Sequence, residues 1–93
     1  MSYARRFVVT GRVQGVGFRW FVEKEASDLG LSGWVRNRQD GTVEVLAAGS
    51  KEKLDALYDI LQRGPRAARV DFVQVIEAEV TNDLKSFRVE GTT

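Results

Sequence analysis

The chain has 93 residues, 43% of them hydrophobic, and its 14 basic and 13 acidic residues leave a formal net charge of +1. This length supports one hydrophobic core, so residues 1–93 are predicted to form a single domain. The absence of cysteine and histidine excludes disulfides, thiolate nucleophiles, zinc sites built on Cys or His, and Ser-His or Cys-His catalytic pairs. No segment resembles a signal peptide or a membrane span, so we expect a cytoplasmic protein that does not bind membranes.

The first half of the chain alternates between strand and helix patterns. A strand over residues 5–11 carries apolar side chains on both faces, which is typical of a central strand covered on both sides. After a glycine-rich turn, apolar residues recur at helical spacing from Phe18 to Leu29, and Gly30 ends this helix. Residues 31–37 form the next strand, with Gly33, Val35 and Asn37 on one face.

The second half begins with a hairpin turn over residues 38–41, where Asp-Gly supplies the required backbone conformations. The elements that follow are a strand over 42–47, a helix from its N-cap Ser50 to Gly64-Pro65, a strand over 70–80, a turn over 81–83 and a strand over 86–89.

This order predicts an α+β domain of the ferredoxin-like, split βαβ type: β-α-β-β-α-β plus a short C-terminal strand. Two helices would pack on one face of an antiparallel sheet whose first and third strands are central. Because many unrelated activities occur on this fold, the fold alone does not define a function.

The glycine-rich turn is a candidate anion site. It reads Gly11-Arg12-Val13-Gln14-Gly15-Val16-Gly17-Phe18-Arg19 and joins a strand to a helix. The unpaired amides and the dipole at a helix N-terminus favour anions, and an arginine can hold two phosphate oxygens at once. The same spacing also fits a plain turn with a solvated arginine, and the pattern is neither a dinucleotide-binding fingerprint nor a Walker loop.

Asn37 is the second candidate residue, because it is a polar side chain on an otherwise small or apolar strand face. Its amide could orient a water molecule without titrating. The alternative is that Asn37 only caps the hairpin turn.

Together these segments resemble the acylphosphatase family. The resemblance is carried by residues 11–19, by Gly33-Trp34-Val35-Arg36-Asn37 and by Asp40-Gly41-Thr42-Val43-Glu44-Val45, and it continues through Gly64-Pro65 and residues 68–71. One departure is the C-terminus, because many family members end in an aromatic residue just after the last strand. Here Val89 is followed by Glu90-Gly91-Thr92-Thr93, which leaves the docking of the C-terminus and the arrangement of Arg19 open.

The resemblance implies hydrolysis of the carboxyl–phosphate bond of small acyl phosphates without metal or cofactor. Asn37 would position the attacking water. The phosphate or another anion would be bound by the side chain of Arg19 and by the loop amides of Gly15, Val16, Gly17, Phe18 and Arg19. An acyl phosphate has a stable carboxylate leaving group, so positioning and charge stabilisation would suffice. A small domain with balanced charge is most simply a monomer.

The same residues also bear on functions other than hydrolysis. A non-catalytic module that binds phosphate or a phosphorylated ligand would use the same loop, and so would a regulatory domain attached to a larger maturation protein. An RNA-binding sheet is disfavoured because the third strand has no aromatic residue and the net charge is near zero; we expect no nucleic-acid partner. Arg12, Arg36 and Arg38 could attract an anionic substrate or simply be solvated. The acidic pairs Glu23/Asp28 and Asp55/Asp59 lie on predicted solvent faces.

Overall fold

A computed structural model describes residues 2–80 and 85–92. Its elements in chain order are β1 (Tyr3–Arg12), α1 (Phe18–Asp28), β2 (Ser32–Asn37), β3 (Val43–Gly49), α2 (Lys51–Arg63), β4 (Arg69–Ala78) and β5 (Phe87–Val89). Each predicted strand and helix is present, with ends that differ from the prediction by a few residues. The predicted turn over residues 81–83 lies outside the described residues.

The five strands form one sheet in the order β4-β1-β3-β2-β5, so β1 and β3 are central as predicted. The pairs β1–β3, β1–β4 and β2–β3 are antiparallel. The sheet is not wholly antiparallel, however, because β5 runs parallel to β2. A parallel neighbour needs a long crossover rather than a hairpin, and the chain between β2 and β5 is long enough to supply one.

Both helices pack on the same face of the sheet and bury the core there. α1 contributes Phe18, Val22 and Ala26. α2 contributes a stripe of three leucines, Leu54, Leu57 and Leu61. Ser50 begins α2 as predicted, since its Oγ accepts a hydrogen bond from the Lys53 amide at 3.3 Å. A layer of two helices packed on one sheet is the two-layer arrangement expected of the ferredoxin-like fold.

In the part of the chain that the structure describes, the other face of the sheet carries no helix, so helices cover β1 on one side only. Phe7 and Val9 belong to the core under the helices, whereas Val8 points to the opposite face and is still only 8% exposed. That face is covered by long side chains instead. Arg6 and Arg36 lie there and both form ion pairs with the buried carboxylate of Glu44.

Candidate active site

The loop between β1 and α1 bends at two glycines. Gly15 has φ 74° and Gly17 has φ 79°, and Gly17 is the N-cap of α1. A Cβ atom at either position would meet no heavy atom within 4 Å. Glycine is therefore favoured at these positions by the left-handed backbone conformation, and not by a lack of space for a side chain.

The amides of this loop point to an anion site. In the described part of the chain, the backbone N–H groups of residues 15–19 have no protein acceptor. Unpaired amides that precede and open a helix carry partial positive charge, and they bind anions readily. The side chains of Val16 and Phe18 pack against or within the core, so their contribution to such a site would come from their amides.

The C-terminal segment holds Arg19 in place. Nη1 of Arg19 donates a hydrogen bond to the backbone carbonyl of Glu90 at 2.9 Å. Glu90 is itself fixed, because its N–H donates to the carbonyl of Val35 at 2.8 Å. A guanidinium has five N–H donors, so this contact leaves others for a ligand, and among the described residues no carboxylate pairs with Arg19. The segment that follows β5 therefore reaches Arg19 through the backbone of Glu90.

Asn37 ends β2 on the helix-covered face, together with Gly33 and Val35, as the alternation predicted. Its Oδ1 atom is buried and has no hydrogen-bond partner. A buried acceptor left unpaired costs about 1–3 kcal/mol, so this position favours a ligand that donates a hydrogen bond, such as water. The oxygen makes no bond to the hairpin, which speaks against a capping role for it.

Gln14 connects the loop to the hairpin that follows Asn37. Its Nε2 donates to the carbonyls of Arg38 at 2.7 Å and Thr42 at 2.8 Å. Gln14 was not predicted as a site residue. Its position inside the glycine-rich motif was the only available signal, and the signal did not reveal the partner atoms.

Hydrogen bonds within the β2–β3 hairpin stabilise its turn. The carboxylate of Asp40 accepts hydrogen bonds from the hydroxyl of Thr42 at 2.6 Å and from its amide at 3.0 Å. These bonds, first that of the hydroxyl and then that of the amide, hold the pKa of Asp40 below its ordinary value. The turn that follows Asn37 thus has a defined geometry at neutral pH.

These parts meet at a cavity of about 180 Å³, which is lined by Val13, Gly15, Gly17, Phe18, Arg19, Trp20 and Asn37. Arg19 supplies the charge in this lining. The structure thus brings together four of the five predicted loop residues and Asn37, while Val16 is not part of the lining. Trp20 was not predicted as a site residue.

A second cavity, of about 210 Å³, lies between α2 and β4. Its charged lining residue is Asp71, which pairs with Arg69 at 3.0 Å. A carboxylate in the wall disfavours an anion, so this cavity is a poorer candidate for phosphate.

The neighbouring arginines do not line the candidate site. Arg36 points to the open face of the sheet, where its guanidinium lies 4.3 Å from the centroid of the Trp34 ring and pairs with Glu44 at 2.8 Å. Arg38 is near Asp40, with 3.9 Å between their charged atoms. Arg36 and Arg38 therefore make structural contacts.

Metal-binding clusters and membrane-spanning helices are both absent from residues 2–80 and 85–92. No group of three or more His, Cys, Asp or Glu side chains in this part of the chain could hold a metal ion. None of its helices combines the length and hydropathy that crossing a membrane requires.

The fold and the site together define a ferredoxin-like α+β domain whose first helix begins at a glycine-rich loop with unpaired amides. Residues 5–89 match the sequence model of the acylphosphatase family, and the chain belongs to that family. It is 66% identical over 88 residues to an acylphosphatase of Koribacter versatilis, covering 95% of this chain and 80% of that protein.

Solved structures agree with this assignment. The crystal structure of acylphosphatase from Bacillus subtilis superposes with a TM-score of 0.90 at 39% identity, covering 97% of this chain and 99% of that one. Full-length HypF in its phosphate- and nucleotide-bound form matches with a TM-score of 0.91 at 31% identity, covering 99% of this chain and 12% of that one. The same fold thus occurs both as a whole acylphosphatase and as a small part of a larger protein.

Proposed function

We propose that this acylphosphatase hydrolyses the carboxyl–phosphate bond of small acyl phosphates, without metal or cofactor, at the cavity between the β1–α1 loop and Asn37. The observation that carries the proposal is the buried, unpaired Oδ1 of Asn37, a residue that lines the same cavity as Arg19. A hydrogen-bond acceptor beside an anion site is suited to accept a hydrogen bond from a water molecule.

In this mechanism the phosphoryl group binds to the loop amides and to Arg19. Asn37 Oδ1 accepts a hydrogen bond from the water and directs its oxygen toward phosphorus. The oxygen–phosphorus bond to water forms while the bond to the bridging oxygen breaks, and the acyl group leaves as a carboxylate. The proton from water passes to a phosphate oxygen, so an acyl phosphate dianion and water give a carboxylate and dihydrogen phosphate.

The proposed division of labour follows from the substrate. The carboxylate leaving group is stable, so the protein mainly positions water and stabilises charge on the equatorial oxygens. Arg19 and the loop amides suit the second task, and Asn37 suits the first. All of these groups belong to one chain, which supports a monomer as the active form. The cytoplasmic location stays a prediction.

The second candidate is a module that binds phosphate or a phosphorylated ligand without turnover. The observation that favours it is the match to part of HypF, which shows that the same domain occurs inside a larger protein. Both functions would use the same loop, and they differ in whether a bound acyl phosphate is cleaved.

The deciding experiment measures inorganic phosphate released from benzoyl phosphate in the presence of EDTA, for wild type and for Asn37→Ala. We expect rapid hydrolysis by wild type. In the variant, kcat should fall about 10²–10³-fold, the range seen when one positioned hydrogen-bonding group is removed from an active site, while KM changes little.

The matched control is Gln39→Ala, which removes an exposed amide from the adjacent hairpin and should keep wild-type rates. Wild-type turnover by Asn37→Ala would overturn the role of Asn37. A folded wild type that binds inorganic phosphate but releases none from benzoyl phosphate would favour the binding module, and hydrolysis that EDTA abolishes would refute metal independence.

A further inference from the structure

Trp20 is an exposed aromatic side chain at the mouth of the candidate site. It is 74% exposed, more than any other large hydrophobic residue in the described part of the chain. Across that same part its ring stacks on no other ring and its indole N–H has no acceptor. A single exposed aromatic is common on protein surfaces, so exposure alone does not assign it a role.

Its position supplies the second observation. Trp20 lines the same cavity as Arg19 and Asn37, and it lies in the first turn of α1, which begins at Phe18. Side chains in a helix lean toward its N-terminus, which here is the glycine loop. The indole is therefore beside the proposed phosphate site rather than on the far side of the helix.

The size of the cavity indicates which part of a substrate the indole would meet. A volume of about 180 Å³ is below the roughly 300–1,000 Å³ of sites that enclose a whole drug-sized ligand. The phosphoryl group would bind to the polar groups of the cavity, which are the loop amides, Arg19 and Asn37. The acyl group would then extend out of the cavity, past its rim.

We propose, resting on the proposed hydrolysis, that Trp20 is a specificity-determining residue that favours acyl phosphates with an aromatic acyl group over acetyl phosphate. A planar aromatic group that leaves the cavity can stack on the indole and cover its exposed face. Such a ring pair contributes about 0.5–1.5 kcal/mol beyond the area it buries. A methyl group is too small to cover the ring.

The kinetic test compares benzoyl phosphate with acetyl phosphate for wild type, Trp20→Ala and Trp20→Phe. Trp20→Ala should lose about tenfold in kcat/KM on benzoyl phosphate and less than about twofold on acetyl phosphate, because stacking is lost while the phosphate contacts remain. Trp20→Phe keeps a ring and should restore most of the preference. Phe72→Ala, which removes an exposed aromatic on β4, should change neither substrate.

Equal losses on both substrates would overturn the proposal, because they would mean that Trp20 shapes the loop rather than contacting the acyl group. Unchanged benzoyl phosphate hydrolysis in Trp20→Ala would overturn it as well. Hydrolysis of neither substrate by wild type would instead refute the proposed function.

A binding measurement tests Trp20 even in that last case. In a Trp34→Phe background Trp20 is the only tryptophan, so its fluorescence reports on the mouth of the cavity. Phenacylphosphonate, in which a methylene replaces the bridging oxygen of benzoyl phosphate, should shift this emission and bind about tenfold more tightly than acetonylphosphonate. Equal affinities, or an emission change no larger than inorganic phosphate causes, would contradict the stacking role.

Discussion

Arg19 contacts the C-terminal segment and also lines the candidate site. One N–H group donates to the carbonyl of Glu90 at 2.9 Å, and Arg19 is the one charged residue among the described residues that line the cavity. The carbonyl fixes the orientation of the guanidinium without neutralising it. A carboxylate in the same place would compete with phosphate for the charge.

Substituting Arg19 should therefore remove phosphate binding and rate together. We expect Arg19→Ala to lower kcat/KM on benzoyl phosphate about 10²–10³-fold or more, as for other groups that stabilise transition-state charge. Arg19→Lys should recover little, since an ammonium cannot reproduce the planar, two-pronged contact. Steady-state kinetics and inhibition by inorganic phosphate measure both effects.

The control for this substitution is Arg66→Ala, at an exposed arginine after α2. It should retain wild-type kinetics. Near-normal phosphate inhibition in Arg19→Ala would show that the loop amides alone bind the anion.

At the scale of elements, the site depends on the junction between the β1–α1 loop and the β2–β3 hairpin. Gln14 makes this junction with two hydrogen bonds to hairpin carbonyls. One element carries the glycine amides and Arg19, and the other carries Asn37. Their relative position sets where a bound water would lie with respect to phosphorus, and small misplacements of reacting groups cost large factors in rate.

Gln14→Ala should separate the two elements and lower both rate and stability. We expect kcat on benzoyl phosphate to fall about tenfold through misplacement of the two elements. The free energy of unfolding should fall by about 1–3 kcal/mol from two lost hydrogen bonds. Urea denaturation and saturation kinetics measure these quantities.

Gln74→Ala, at an exposed position of β4, serves as the matched control and should leave both quantities unchanged. A stable Gln14→Ala variant with full kcat would show that backbone contacts alone hold the junction.

The whole molecule has its candidate site on the helix-covered side of the sheet and a network of charges on the open face. Glu44 is 2% exposed and pairs with Arg6 at 3.0 Å and Arg36 at 2.8 Å. These residues come from the three strands β1, β2 and β3, so the network ties the sheet together laterally. Burying a carboxylate is tolerated only when it is paired in this way.

Loss of the Glu44 charge should lower stability without changing the chemistry. We expect Glu44→Gln to reduce the free energy of unfolding by about 1.5–3 kcal/mol, the range for hydrogen bonds to charged groups, with unchanged KM on benzoyl phosphate. Urea denaturation with parallel kinetics measures this.

Glu77→Gln is the comparison, because Glu77 pairs with Arg5 at 3.3 Å but its side chain is 75% exposed. An exposed pair contributes at most about 1 kcal/mol, so this variant should be nearly as stable as wild type. Equal losses in the two variants would show that burial does not strengthen the Glu44 network.

The amino-acid sequence by itself determined the elements and their class. Two-residue and 3.6-residue periodicities marked the strands and helices, and these signals are local. The same holds for the glycine loop, whose left-handed residues restrict the choice of amino acid. The two motifs that include Arg19 and Asn37 also identified the family, which the comparisons confirmed.

Only the tertiary structure decided how these pieces meet. The contacts of Gln14 with the hairpin join residues 24 and 28 positions apart, and the contact of Arg19 with Glu90 spans 71 positions. Such contacts depend on strand order and register, which periodicity does not encode. Strand order and register also set the parallel pairing of β5, the unpaired Oδ1 of Asn37 and the position of Trp20 at the cavity. Each of these features arises where segments distant in sequence meet.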